Sequence, residues 1–265
     1  MTRLLLLLLC GVSAWAQTSA IRGKQMIDEA LAALGGERFL SVQNRVEVGR
    51  VFSFFREEVS GLSVATIYTK YVPVADTSST ASLAIRERQS FVRNKKEESA
   101  VVITDTAGYQ ITFRGARPLA ADSLERYRIT TLTNIFYILR VRLREPGMVF
   151  ESKGQEVWSN QPVNVVDITD SENRVVTVYF NQSTKFPVHQ VYYRRDPKTK
   201  LRIEEAADYG KYREAGQGVW WPLTTQRTRD GDKIYEVYAD SVSINQTMSD
   251  SLFMLPADIK MQKGL

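Results

Sequence analysis

The chain has 265 residues, of which 43% are hydrophobic and 25% are charged, so it has enough apolar content to bury a globular core. One cysteine and one histidine exclude a disulfide scaffold and a metal site built from several histidines or thiols. The formal net charge of +5 is a mild excess, which is more typical of a soluble surface than of a nucleic-acid-binding protein.

The first sixteen residues have the pattern of a secretory signal peptide. Arg3 precedes an unbroken leucine run at residues 4–9, and Ala14-Trp15-Ala16 offers a small-x-small cleavage site. The apolar run is too short to span a bilayer, which takes about 20 apolar residues. We therefore expect cleavage between Ala16 and Gln17 and export to the periplasm, where the mature protein would be soluble.

An alternative interpretation makes Cys10 a lipidated N-terminus. Leu7-Leu8-Leu9-Cys10 resembles a lipobox, although a bulky leucine stands where a small residue normally precedes the cysteine. We favour cleavage after Ala16, which also removes the chain's only thiol.

The mature chain is predicted to begin with a helix near residues 20–34. Ile27, Ala30, Leu31 and Leu34 lie on one helical stripe, and Gly35-Gly36 ends it. From Arg45 onward the apolar period changes to two, which predicts strands. They cover residues 45–55, 62–72, 83–92, 99–104 and 109–114.

A second helical zone is predicted near residues 122–144. An apolar stripe runs through it and ends at Pro146-Gly147, and the β-branched residues 129–131 indicate that it could be two shorter helices with a bend. The stripe consists of Leu132, Ile135, Phe136, Leu139 and Leu143.

The rest of the chain is predicted to be strand after strand. The runs are 154–158, 162–169, 175–180, 188–194, 201–209, 223–229 and 233–244. About twelve strands with helices in only two places predict a mainly β (α+β) fold, in which a single large antiparallel sheet curves into a half-barrel and a few helices cover it. We expect residues 17–265 to form one domain.

The sequence offers no candidate for catalytic chemistry. His189 lies in a strand with apolar neighbours, no Gly-x-Ser-x-Gly elbow is present, and the paired glutamates would point to opposite faces of their strands. We therefore predict that the protein is not an enzyme and has no metal site and no cofactor. The secretory signal argues against a nucleic-acid partner, and we expect a monomer.

Three groups of short stretches stand out in the chain. They are residues 30–36 with 39–40 and the strand that ends at Gly49; 185–188 with 207–209 and 218–222; and 242–245 with 250–256. Together they resemble the bacterial outer-membrane lipoprotein-sorting-like family, which is similar to the LolA- and LolB-type periplasmic carriers. The resemblance covers about residues 24–259. It rests on residues at turns and at the ends of helices and strands, and none of them is catalytic.

The resemblance implies a curved, half-open sheet whose apolar concavity is closed by lid helices near 20–34 and 122–144. In the sorting carriers this concavity holds lipoprotein acyl chains, which need shelter because each exposed CH₂ costs about 0.8 kcal/mol in water. Arg140 and Arg142 are the candidates for the arginine that holds the lid. The predicted ligand-binding residues are Phe52, Phe54, Trp158, Tyr179 and Trp221 on strands and Ile135 and Phe136 on the lid.

Two other functions remain open. The same fold could serve as an envelope-stress sensor or protein-interaction module that binds an envelope membrane protein without transporting a ligand. An enzyme acting on envelope lipids or glycans through carboxylates is the third possibility.

Overall fold

Alternating apolar and polar residues build one continuous antiparallel sheet. The computed structural model describes residues 2–73, 83–104 and 107–263, and thirteen strands lie within them. The strands are β1 (Asn44–Phe55), β2 (Glu58–Tyr71), β3 (Ile85–Arg93), β4 (Lys96–Ile103), β5 (Gly108–Thr112), β6 (Gly115–Pro118), β7 (Val149–Trp158), β8 (Gln161–Thr169), β9 (Val175–Asn181), β10 (Pro187–Arg195), β11 (Arg202–Gly216), β12 (Val219–Arg229) and β13 (Asp232–Ile244).

The sheet is open and curved. Its order is β6-β5-β4-β3-β2-β1-β13-β12-β11-β10-β9-β8-β7, so β6 and β7 form the two edges. Pairing of β1 with β13 joins the halves of the chain, and all other neighbours are consecutive. The predicted fold class, a curved half-barrel with few helices, is confirmed.

One strand was not predicted. β6 has only four residues, Gly115–Pro118, and directly follows the turn after β5. A segment this short shows no measurable alternation, and Pro118 disfavours a strand assignment away from a sheet edge. β6 does lie at the edge, where proline is tolerated.

The described residues contain few helical segments. They are α1 (Thr2–Leu34), α2 (Glu37–Leu40), α3 (Ala121–Leu132), α4 (Ile135–Tyr137), a π-helical turn (Ile138–Arg142) and a 3₁₀ turn (Asp250–Phe253). The backbone of residues 2–16 continues into the helix predicted near 20–34. Cleavage after Ala16 stays a prediction.

The covering segment, residues 121–142, consists of α3, α4 and the π-helical turn and defines the inner face of the sheet. Phe136 of α4 packs edge-to-face on Tyr209 of β11 at a centroid distance of 5.0 Å, and it contacts Trp221 of β12 at 4.6 Å. The face that carries Tyr209 and Trp221 is therefore the inner face. Cross-strand partners share a face and neighbours along a strand alternate, so the register assigns every other position.

The main core lies between this inner face and the helices. Ile27, Ala30 and Leu34 of α1 are fully buried there, which matches the predicted stripe. Phe39 of α2 stacks on Trp221 at 6.1 Å. Burying side chains of this size stabilises the fold by about 1.5–3 kcal/mol each.

Both sheet edges are covered. α1 runs along β7, where the Ser19 hydroxyl donates to the Ser152 carbonyl at 2.8 Å. At the other edge, the Ala116 N–H of β6 donates to the Lys260 carbonyl at 2.9 Å, and Ala116 pairs with Met261. Covered edges have fewer free backbone groups for pairing with another chain.

The close approach of α1 to β7 depends on Gly23. A Cβ atom added there would lie 2.5 Å from the Phe150 carbonyl oxygen. Helix propensity alone would make Gly23→Ala stabilising by about 1 kcal/mol. We expect it instead to lower the free energy of unfolding by about 1–3 kcal/mol, because the methyl group meets backbone.

Urea denaturation of the purified protein measures this difference. The control is Arg22→Ala, an exposed position of the same helix, which should change stability by less than about 0.5 kcal/mol. An unchanged or more stable Gly23→Ala variant would mean that α1 does not pack this closely on β7.

Candidate functional site

The covering segment bends where the β-branched residues indicated a bend. α3 ends at Leu132, and Asn134 caps the next turn, its Oδ1 accepting hydrogen bonds from the N–H groups of Phe136 (3.0 Å) and Tyr137 (3.2 Å). The segment is thus two short helices that can follow the curve of the sheet.

A buried glutamine holds this bend against the sheet. Gln190 of β10 is 3% exposed; its Oε1 accepts from the Ile135 N–H at 2.9 Å and its Nε2 donates to the Thr133 carbonyl at 3.2 Å. Both polar ends of the side chain are satisfied, and leaving either unpaired in the core would cost about 1–3 kcal/mol.

Arg142 anchors the end of the covering segment. Its side chain is 4% exposed and donates to Glu145 at 2.6 and 2.8 Å, to the Leu132 carbonyl at 2.6 Å and to Asp170 at 2.9 Å. Arg174 also donates to Asp170, at 2.8 Å. Burial alone would raise the pKa of Asp170, but the hydrogen bonds from Arg142 and Arg174 outweigh it and hold that pKa below its usual value.

Arg140 makes a second attachment. Its Nε and Nη2 both donate to the Val42 carbonyl, at 3.0 and 2.9 Å, and its guanidinium lies 5.0 Å from the centre of the Tyr71 ring. Arg140 and Arg142, the two arginines proposed from the sequence, therefore both fix the covering segment.

A cavity of about 400 Å³ lies between the covering segment and the inner face. This volume is in the range of small-molecule sites, about 300–1,000 Å³. Its lining mixes charged, hydroxyl-bearing and apolar groups: Arg45, Glu47, Thr69, Tyr71, Ile85, Glu87, Gln89, Tyr127, Thr130, Thr131, Asn134, Phe136, Tyr137, Tyr209, Trp221, Pro222, Thr225, Arg227 and Tyr235.

One end of the cavity holds a paired charge. Arg45 and Glu47, two positions apart on β1 and hence on one face, form an ion pair at 2.5 Å. The Arg45 guanidinium also lies 4.0 Å from the centre of the Trp221 ring and donates to Thr69 at 3.2 Å. Such cation–π contacts are worth about 0.5–2 kcal/mol.

The carboxyl group of Glu87 and the phenol of Tyr127 also line the cavity. Burial raises the pKa of Glu87, although Gln89 donates to it at 2.6 Å and Arg45 favours its charged form. Burial, followed by the charge of Glu87, raises the pKa of Tyr127, whose hydroxyl lies beside Glu87 and Thr131.

Three of the seven predicted ligand-binding residues lie in or beside this cavity. Phe136 and Trp221 line it. Ile135 is fully buried in the core next to Phe136 and does not reach the cavity wall.

Phe52 and Phe54 lie on the outer face instead. Phe52 pairs with Glu236 and Leu62 in register and packs edge-to-face on Tyr238 at 5.8 Å, while the Phe54 ring lies 5.1 Å from Lys233 Nζ. Neither contributes to the cavity wall, because along β1 they alternate with the positions, such as Val51, that face inward.

Trp158 and Tyr179 are also on the outer face, together with the only histidine. Trp158 stacks on His189 at 3.8 Å and Tyr179 packs edge-to-face on it at 5.0 Å. His189 Nδ1 is 2.8 Å from an Asp208 carboxylate oxygen, and its side chain is 8% exposed. This is a packed outer cluster, separate from the cavity; whether any of the seven residues binds a ligand stays a prediction.

Sequence reasoning missed most of the polar lining. Arg45 and Glu47 of β1, Glu87 of β3 and Arg227 of β12 were not proposed as site residues. Arg45 and Glu47 share a period-two face with Val51, but nothing in the sequence indicates that this face points inward; the burial of Val51 (7% exposed) in the structure does.

The sequence matches no family model and no curated protein. Solved structures with the same architecture exist at low identity. A DUF1329 family protein from Desulfovibrio piger superposes with a TM-score of 0.60 and 11% identity over 88% of this chain and 97% of that one. A putative outer membrane lipoprotein-sorting protein domain from Vibrio parahaemolyticus gives 0.54 and 11% over the same shares.

A LolA superfamily protein from Nitrosomonas europaea is similar at a TM-score of 0.51 and 12% identity, over 85% of this chain and 97% of that one. At identities this low, structural similarity is evidence of a shared fold but not of a shared function. The chain has a LolA-like fold, which confirms the resemblance at that level.

Within residues 2–73, 83–104 and 107–263, no helix combines the length and hydropathy that a membrane span requires. No three His, Cys, Asp or Glu side chains within those ranges are grouped so that they could hold a metal ion.

The Arg142 network predicts a pH-dependent contribution to stability. Because the pKa of Asp170 is lower in the folded state, its stabilisation is fully present above the unfolded-state value of about 3.9 and is lost as pH falls through the folded-state pKa. Asp170→Asn should therefore lower the free energy of unfolding by about 3 kcal/mol at neutral pH, and its difference from wild type should shrink below about pH 4.

Urea denaturation at several pH values tests this. Asp240→Asn, an exposed carboxylate on β13, is the control and should match wild type throughout. A deficit in Asp170→Asn that stays constant down to the lowest pH would contradict the assigned role.

Proposed function

We propose that the protein is a periplasmic carrier that holds the acyl chains of a lipid or lipoprotein on the inner face of its sheet. The observation that carries this proposal is the cavity of about 400 Å³ between the inner face and a firmly attached covering segment. A water-soluble carrier needs such a shelter, since each CH₂ group of an acyl chain gains about 0.8 kcal/mol on leaving water.

The cavity supports an amphiphilic ligand better than the entirely apolar one expected from the sequence. Phe136, Trp221 and Ile85 offer apolar surface, while the Arg45–Glu47 pair and Glu87 offer polar contacts. Hydrocarbon can pack on the aromatic rings while the charged and hydroxyl-bearing side chains of the same lining contact a polar group.

Export and non-enzymatic action belong to the same proposal. The signal-peptide pattern at residues 1–16 supports a periplasmic location. The lining includes an ion pair, Arg45–Glu47, and a buried carboxyl, Glu87, and no histidine or cysteine is among the lining residues that the structure describes, which supports binding without catalysis.

An apolar patch on the outer face favours the alternative of a sensor or interaction module. Leu62 and Val64 of β2 are 60% and 49% exposed, and Leu62 is the register partner of Phe52. Cross-linking that recovers one envelope protein, lost in a Leu62→Ser variant, together with protein free of lipid, would support this alternative over the carrier.

Protein purified from the periplasm without detergent should retain lipid. Native mass spectrometry should show mass above that of the polypeptide, and organic extraction should release the ligand. Thr225→Trp should lower the bound fraction about tenfold, because Thr225 lines the cavity and the larger side chain occupies the ligand's space.

Gln226→Trp is the matched control, since it adds the same side chain at the next position of β12, on the outer face. It should retain lipid as the wild type does. A wild-type protein that shows only the bare polypeptide mass, and binds no added lipid, would rule out the carrier.

A further inference from the structure

Three arginines of the inner face gather around one buried carboxylate. Arg194 of β10 donates to Glu205 Oε1 through Nε at 3.0 Å and Nη2 at 2.8 Å. Arg229 of β12 donates to the same oxygen at 3.0 Å, and Arg227 Nη2 lies 4.0 Å from Glu205 Oε2. We call these four residues the arginine cluster.

The strand register brings the cluster together. Glu205 of β11 is paired with Tyr192 of β10 on one side and with Arg229 of β12 on the other. Arg194 and Arg227 are each two positions from one of these residues and therefore lie on the same face. The site is thus built on three neighbouring strands of a rigid sheet.

The cluster contains three positive charges and only one negative charge. Three guanidinium groups share the single carboxylate of Glu205, whose side chain is 4% exposed. Charges held close together and partly out of water are normally balanced, because repulsion between like charges is screened less there. An anion that joined the cluster would reduce this imbalance.

The guanidinium groups retain donors for such an anion. Arg227 and Arg229 are 30% and 38% exposed, and the structure records one hydrogen bond from each, to Thr130 (3.2 Å) and to Glu205. A guanidinium has several N–H donors in a planar fork that matches phosphate and carboxylate oxygens. Arg194 is only 10% exposed and serves to position Glu205.

The cluster is continuous with the cavity. Arg227 belongs to both, and Thr130, which accepts its hydrogen bond, also lines the cavity and lies 2.9 Å from the Tyr192 hydroxyl. A molecule in the cavity can therefore reach the cluster without leaving the inner face.

We infer that the arginine cluster binds the anionic group, a phosphate or carboxylate, of an amphiphile whose hydrocarbon part lies in the cavity. The inference rests on the proposed carrier function and specifies its ligand class as anionic amphiphiles. Arg227 and Arg229 contact the anion; the hydrogen bond to Thr130 positions Arg227, the one to Glu205 positions Arg229, and Arg194 positions Glu205.

Calorimetric titration with two single-chain amphiphiles below their micelle concentrations tests the inference. Decyl phosphate should bind about tenfold more tightly than decyl glucoside, which has the same chain and no charge. In Arg229→Gln this preference should disappear while decyl glucoside binding stays unchanged. Arg50→Gln removes the same charge from the outer face and should keep the preference.

The outcomes separate the inference from the function on which it rests. Equal binding of both amphiphiles by wild type, or an Arg229→Gln protein that is folded by circular dichroism and keeps the preference, overturns the inference and leaves the carrier intact. Inorganic phosphate that binds as tightly as decyl phosphate would show a free-anion site and also overturn it. Binding of neither amphiphile contradicts the carrier as well.

Discussion

The buried guanidinium of Arg142 is the contact on which the site depends. It joins the last turn of α3 through the Leu132 carbonyl, the chain after the π-helical turn through Glu145, and the turn between β8 and β9 through Asp170. A cation in this position would cost several kcal/mol if any of these partners moved away. The network therefore fixes where the covering segment meets the sheet, and this placement defines the cavity.

An open half-barrel makes such an anchor necessary. A sheet of this width curls, and its inner face cannot be closed by the sheet itself because β6 and β7 do not pair. α1 covers β7 and residues 260–262 lie along β6, so the edges are protected without closing the barrel. The covering segment can then leave part of the inner face unfilled, whereas a closed barrel of small radius would fill it with side chains.

The period of the sequence predicted the sheet, the bend in the covering segment and the fold, but not which side of β1 faces inward. One alternating set of β1 contains Arg45, Glu47 and Val51, and the other contains Phe52 and Phe54. Assigning the more apolar set to the interior is sound for a filled core. It fails here because the interior is a polar-lined cavity and because the outer face carries an aromatic contact between Phe52 and Tyr238. Only tertiary packing, through the covering segment, distinguishes the two sets.

Charge is distributed unevenly between the two ends of the cavity. Near Trp221 the charges are balanced, since Arg45 is paired with Glu47 and burial favours the neutral form of Glu87. Arg227 lies six residues further along β12, roughly 20 Å in the strand direction, where the arginine cluster has excess positive charge. For the anionic amphiphile that we propose, this distribution of charge favours hydrocarbon toward Trp221 and Phe136 and the head group toward Arg227. The reversed orientation would move the anion from the excess positive charge of the arginine cluster to a region where the charges are already balanced. The charged side chains of the sheet would then determine both the class of ligand and its orientation.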